Sequence, residues 1–257
     1  MKLGLGLGAL CALGLACAPT ALADWPHDVK WDQLDPDPVW TWQSYTNSQA
    51  DMIVADDFPC SETGWITDIE FDGFCASVTS LSQFRITFYR DVPATPDEES
   101  HPGQLIDEIF MSKASASDPL GLGWKLIQED RFRINLPESD WFFQEQGTVY
   151  WIGIQGVLAD VGQFSWKFRD RTADTWNDDA VSRGCTEPLD AWLHLGWQQT
   201  CCFLVPGPYE GTLPDGFLKS ADMSFRLTGI AIPEPAACLL VVVGAALIAA
   251  RRRRTRT

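Results

Sequence analysis

The sequence predicts an all-β domain, a two-sheet antiparallel sandwich that is jelly-roll-like, and three observations carry that expectation. Five segments alternate apolar and polar residues with a period of two. Between the apolar ends of the chain, no segment shows a 3.6-residue stripe over ten or more residues. Turn chemistry punctuates the alternation at Pro93-Ala94-Thr95-Pro96-Asp97, Pro102-Gly103, Pro206-Gly207-Pro208 and Pro214-Asp215-Gly216.

In chain order, Thr67, Ile69, Phe71, Gly73 and Cys75 share one face of a strand whose other face carries Asp68, Glu70 and Asp72. Phe84, Ile86 and Phe88 then alternate with Arg85, Thr87 and Tyr89. Phe132, Ile134 and Leu136 alternate with Arg131, Arg133 and Asn135, and Phe164, Trp166 and Phe168 with Ser165, Lys167 and Arg169. Met223, Phe225 and Leu227 close the series against Ser224, Arg226 and Thr228. Each is the pattern of a half-buried antiparallel strand. The stretch 149–154 is apolar on both faces and predicts a central strand. Spacing between strands is too irregular for a propeller, and no internal repeat is present.

The two ends stand apart from this domain. Lys2, an apolar run to Ala18 and the small-x-small site Ala21-Leu22-Ala23 have the form of a signal peptide over residues 1–23. At the other end, Pro233-Glu234-Pro235 precedes an apolar run, 236–250, and then Arg251-Arg252-Arg253-Arg254. Fifteen residues of helix span about 22 Å, short of a hydrocarbon core of about 30 Å. Snorkelling arginines make up the difference, and they hold their end on the cytoplasmic side. The order of these three elements resembles the PEP-CTERM sorting signal of bacterial surface proteins. That resemblance implies an exported protein, handled by signal peptidase at one end and an exosortase at the other, and placed in the cell envelope or the extracellular matrix. The alternative is a plain membrane anchor without cleavage. On this division the sandwich occupies residues 24–230 and the sorting signal 231–257.

A second resemblance runs through the domain. Ala55-Asp56-Asp57-Phe58, Asp91-Val92-Pro93-Ala94 with Ser100-His101-Pro102-Gly103, Trp176-Asn177-Asp178-Asp179-Ala180 and Asp222-Met223-Ser224-Phe225 resemble an uncharacterised family. Its members are secreted β-rich proteins of planctomycete-like bacteria, so the resemblance implies a shared fold and assigns no activity.

The whole chain has a formal charge of −16. Without both ends it keeps 13 basic residues against 34 acidic ones, about −21. Such a domain repels nucleic acid and anionic membrane surfaces; divalent cations and neutral sugars fit it as partners. Five cysteines remain: Cys60, Cys75, Cys185, Cys201 and Cys202. Cys60 and Cys75 flank a predicted strand and are the first candidates for a disulfide; Cys185 has Cys201 and Cys202 as partners to choose between. Zinc is the other reading, although no Cys-x-x-Cys or histidine cluster accompanies them.

No nucleophile elbow, zinc-protease helix, phosphate-cradling loop or dinucleotide fingerprint is present. Only His27, His101 and His194 could serve a histidine-dependent device. Acids are the abundant resource. Asp56-Asp57 and Asp178-Asp179 are candidate calcium ligands, since hard oxygen donors suit that ion. Their alternative role is capping of backbone amides. All twelve tryptophans lie between the two ends. Trp151 and Trp166 sit on predicted core strands; Trp40 and Trp42 share a face in a polar region and are candidates for stacking on sugars. Three functions remain: a surface or matrix protein without catalysis, a carbohydrate-binding module with lined-up tryptophans, or a polysaccharide-cleaving enzyme with two facing carboxylates.

Overall fold

A computed structural model of the chain describes residues 28–34, 41–96, 98, 100–159, 162–169, 180–186, 197–199 and 222–232. Apart from one 3-10 turn at Glu138–Asp140, the regular elements among them are strands, in two sheets. The first sheet contains β1 (Asp28–Asp32), β2 (Thr41–Gln43), β5 (Gly64–Cys75), β8 (Gly123–Gln128), β9 (Arg131–Asn135), β10 (Phe142–Gln144), β12 (Phe164–Lys167) and β15 (Phe225–Ala231). The second contains β3 (Tyr45–Thr46), β4 (Ala50–Pro59), β6 (Leu81–Val92), β7 (His101–Ser112), β11 (Val149–Leu158), β13 (Val181–Thr186) and β14 (Gln198–Gln199). Pairing is antiparallel between all of these except β3 and β11.

The predicted all-β class is therefore correct, and the alternation explains it. Each inward face meets the opposite sheet: Phe84 of β6 packs on Phe71, Phe132 and Phe164 of the first sheet at 5.0, 5.2 and 5.1 Å between ring centroids. Phe88 stacks on Phe142 at 3.9 Å, and Phe58 meets Phe225 edge-on at 6.4 Å. Such aromatic pairs add about 0.5–1.5 kcal/mol each beyond the area they bury. The stretch 149–154 is indeed central, with β4 on one side of β11 and β6 on the other.

In one place the alternation is reset. β15 pairs Thr228 with Asp68 and Gly229 with Ile66, which leaves Thr67 as an extra residue in β5. The bulge turns both Ile66 and Ile69 into the core, although three positions separate them. Beyond it, Asp68, Glu70 and Asp72 face outward as expected. Asp72 lies opposite Arg131, and Glu70 opposite both Arg133 and Arg226. The Arg131 guanidinium holds Asp72 in a two-pronged contact of 2.8 and 3.0 Å. That carboxylate also accepts from the Ser224 hydroxyl at 2.5 Å. Arg133 bonds Glu70, and Arg226 bridges Glu70 at 3.6 Å to Asp32 at 2.8 Å. Bonding to Asp72 raises the pKa of Arg131 above its ordinary value, and so keeps the rung charged.

Candidate functional site

Where the two sheets meet beside β10, they leave a cleft of about 340 Å3. The first sheet contributes Trp65 of β5 and Phe142 and Phe143 of β10, with Trp141 and Glu145 flanking β10. The second contributes Arg90 of β6, Ile106 and Asp107 of β7, and Tyr150 of β11. Local sequence explains each placement. Phe142 points into the core, so the next residue, Phe143, must face out. Its ring meets Trp65, its cross-strand partner, at 4.9 Å and 61°. Ile106 is the extra residue of a bulge: β6 pairs Tyr89 with Leu105 and Phe88 with Asp107, and Ile106 has no opposite number. The bulge re-aims this part of the strand toward the cleft.

The floor is fixed. Phe142 is clamped between Phe88 and Tyr150, the latter at 5.3 Å. The Tyr150 hydroxyl accepts a hydrogen bond from the Glu145 amide at 3.1 Å, and the Trp141 indole donates to the Leu136 carbonyl at 3.1 Å. Three rings, Trp65, Trp141 and Phe143, line the open side and are only partly covered. Three charged groups surround them. Among the described residues, Arg90, Asp107 and Glu145 form no ion pair. One Asp107 oxygen accepts the Glu108 amide at 2.8 Å. The arrangement offers apolar faces for stacking, a guanidinium fork for hydroxyls, and two carboxylates as acceptors.

Of the two acidic pairs expected as calcium ligands, the structure describes Asp56 and Asp57. Asp56 and Asp57 are neighbours in β4, so they point to opposite faces and do not share an ion. Asp56 faces the core with Val54 and Phe58, and its Oδ2 accepts from Gln33 Nε2 at 2.6 Å and from the Met223 amide at 2.8 Å. Its Oδ1 accepts the Asp57 amide at 3.0 Å. Burial pushes the Asp56 carboxyl well above its ordinary pKa, and the charges of Asp222 and Asp57 push it further. Two of these contacts satisfy backbone amides, the role set against calcium above. Asp57 lies on the far face of the second sheet, where Ala55, Tyr89, Trp151 and Val181 form a separate buried cluster. Asp178 and Asp179 lie outside the described residues. Among the described residues no three His, Cys, Asp or Glu side chains gather as metal ligands.

The Cys60–Cys75 bridge is not formed. β5 begins shortly after Cys60 and ends at Cys75, and the steps between its 12 residues, at about 3.3 Å each, span about 36 Å, whereas a disulfide needs Cα atoms within about 7 Å. The Cys60 thiol instead donates to the Glu62 carbonyl at 3.1 Å and that of Cys75 to Ser77 at 3.3 Å. Burial raises the pKa of the Cys60 thiol. Cys185 lies in β13 with its backbone opposite Asp51. Cys201, Cys202, Pro233, Glu234, Pro235, the run 236–250 and Arg251 to Arg254 lie outside the described residues. Among the described residues no helix is long and apolar enough to cross a membrane.

The tryptophans are also redistributed. Trp166 is a core residue and donates to the Ser224 carbonyl at 3.1 Å. Trp42 pairs across to it and packs its own ring on the core beside Phe168, so it is no stacking platform; Trp40 lies outside the described residues. Trp65 and Trp141, and not Trp42, are the described tryptophans that line the cleft. The one sequence signal for this site was the Phe142-Phe143 pair on a short strand, which cannot bury both rings on one face.

Fold and site together define an all-β, two-sheet domain with an aromatic cleft where its sheets meet. Residues 29–228 match a domain of unknown function, DUF7901, and the chain belongs to that family. No curated protein and no solved structure matches it.

Proposed function

We propose that the protein is an exported, non-catalytic component of the cell surface or extracellular matrix that binds carbohydrate in the cleft between its sheets. The observation that carries the reading is the set of three partly open rings, Trp65, Trp141 and Phe143, beside charged groups not committed to one another. Sugars present apolar ring faces edged by hydroxyls, and this combination answers both. Delivery rests on the two terminal segments: the signal peptide starts export, and the Pro-Glu-Pro tail hands the chain to an exosortase. The domain's connectivity is read as jelly-roll-like because successive strands repeatedly change sheet, at β2–β3, β4–β5, β5–β6, β7–β8, β10–β11, β11–β12, β12–β13 and β14–β15.

A glycan array on the secreted domain, with parallel hydrolysis assays on the glycans retained, tests the reading. Retention without cleavage is expected, and Phe143→Ala, at the most exposed of the three rings, should weaken it at least tenfold with the melting curve little changed. Retention that survives loss of both Trp141 and Phe143 sinks the assignment to this cleft. Release of shortened sugars that stops in Asp107→Asn or Glu145→Gln favours the hydrolase instead.

A further inference from the structure

We infer that the ligand of this cleft is a glycan bearing free amino groups, a cationic amino sugar rather than a neutral or acidic one; the inference rests on the carbohydrate reading above. The cleft holds two carboxylates, Asp107 and Glu145, and one guanidinium, Arg90, with no ion pair among them, so its net charge is negative before any ligand enters. A uronate would meet two like charges for one opposite charge. A neutral sugar would leave both carboxylates with hydroxyl partners only. An ammonium on the sugar ring answers them directly through charge-assisted hydrogen bonds.

The rest of the molecule points the same way. Arg131, Arg133 and Arg226 are spent on Asp72, Glu70 and Asp32 across the outer face of the first sheet. Arg85 is spent on Glu108, Lys167 on Asp130 and Lys30 on Glu62. These cations do not offset the acids elsewhere on a domain of about −21, and the resulting field concentrates cationic polymers at the surface. The aromatic walls add to the attraction, since ring faces favour a neighbouring cation. Arg90 sets this cleft apart from a cage for a simple quaternary ammonium. A guanidinium in such a cage repels its ligand, whereas beside a sugar ring its fork donates to hydroxyls.

The test is titration calorimetry on the full domain with glucosamine oligomers and with N-acetylglucosamine oligomers of equal length. The amino oligomer should bind about tenfold tighter or more, the gain of one charge-assisted contact. Glu145→Gln and Asp107→Asn should each remove most of that preference and leave the weaker binding of the acetylated oligomer in place. Glu129→Gln, an acid on the surface away from the cleft, is the control for diffuse attraction. If it lowers the affinity as much as Glu145→Gln does, the cleft is not the cause and the inference fails. Equal affinity for the two oligomers also overturns it while leaving the carbohydrate reading intact. Binding of neither oligomer, nor of any glycan on the array, overturns both. Melting curves separate a lost contact from a lost fold, and Phe143→Ala stands in for any cleft variant that does not fold.

Discussion

Asp56→Ala is the sharpest probe of how the acidic residues serve this domain. The carboxyl is buried and satisfies three donors: Gln33 Nε2, the Met223 amide and the Asp57 amide. Truncation leaves the first two unmet in the core, at about 1–3 kcal/mol each. It also relieves the repulsion from Asp222 and Asp57 that raises the Asp56 pKa. The net loss should be about 3 kcal/mol, or roughly 6–12 °C in Tm for a domain of this size. Asp56→Asn should behave differently. Its carbonyl oxygen takes over the Gln33 and Met223 contacts, while its amide nitrogen meets the Asp57 N–H donor to donor, a loss of about 1 kcal/mol.

The pH dependence separates these effects. Because the folded-state pKa of Asp56 lies above the ordinary value of 3.8, the folded chain binds more protons than the unfolded one between those two values. Stability contributed by this group is thus fully present below pH 3.8 and declines as pH rises through the folded pKa. Asparagine has no proton to lose. The deficit of Asp56→Asn relative to the natural chain should therefore shrink steadily from pH 4 upward. Urea denaturation followed by tryptophan fluorescence across that range measures it. A deficit that is constant with pH, or that grows, would refute a folded-state pKa of Asp56 above its ordinary value.

Three further outcomes follow from the same geometry. Asp72→Ala strips Arg131 and Ser224 of their shared acceptor and should cost about 3 kcal/mol in urea, because it removes the two-pronged partner of a largely covered guanidinium; Asp72→Asn should cost less. Gly73→Ala places a methyl 2.6 Å from the Phe164 ring, so calorimetry should show a loss of about 1–3 kcal/mol from overpacking. In a host that has an exosortase, the surface-extracted protein should lack everything beyond about Pro235, and intact mass showing Arg251 to Thr257 still attached would contradict the sorting reading.

Strands were legible where one face is apolar and the other charged, since burying a face fixes the register. Phe71 and Phe132 had to point inward, so Glu70, Asp72, Arg131 and Arg133 had to point outward, and opposite charges on neighbouring strands then met. What alternation cannot foresee is a bulge. Thr67 was read in phase with Ile69, yet it is the extra residue that lets Ile66 into the core. The same limit hid half of the cleft. Ile106 and Asp107 reach it because β7 carries an unpaired residue opposite β6, a property of two strands together that neither shows alone.

The disulfide expectation failed for a related reason. Cys60 and Cys75 are near in sequence, but the chain between them is one long strand, and an extended strand separates its ends more than any other structure does. Proximity along a chain favours a bridge only when a turn intervenes. By contrast, the cleft gathers residues far apart in sequence, Trp65, Arg90, Asp107, Trp141 and Tyr150, because β5, β6, β7, β10 and β11 meet beside the junction of the sheets. Most of its walls are as rigid as the strands that hold them, and only Trp141 and Glu145, which flank β10, can respond to changes in the connections. A cleft variant that alters ligand preference should accordingly leave the melting temperature nearly unchanged, whereas Phe142→Ala, which removes the floor stacked on Phe88, should weaken binding and also cost about 3–5 kcal/mol of stability.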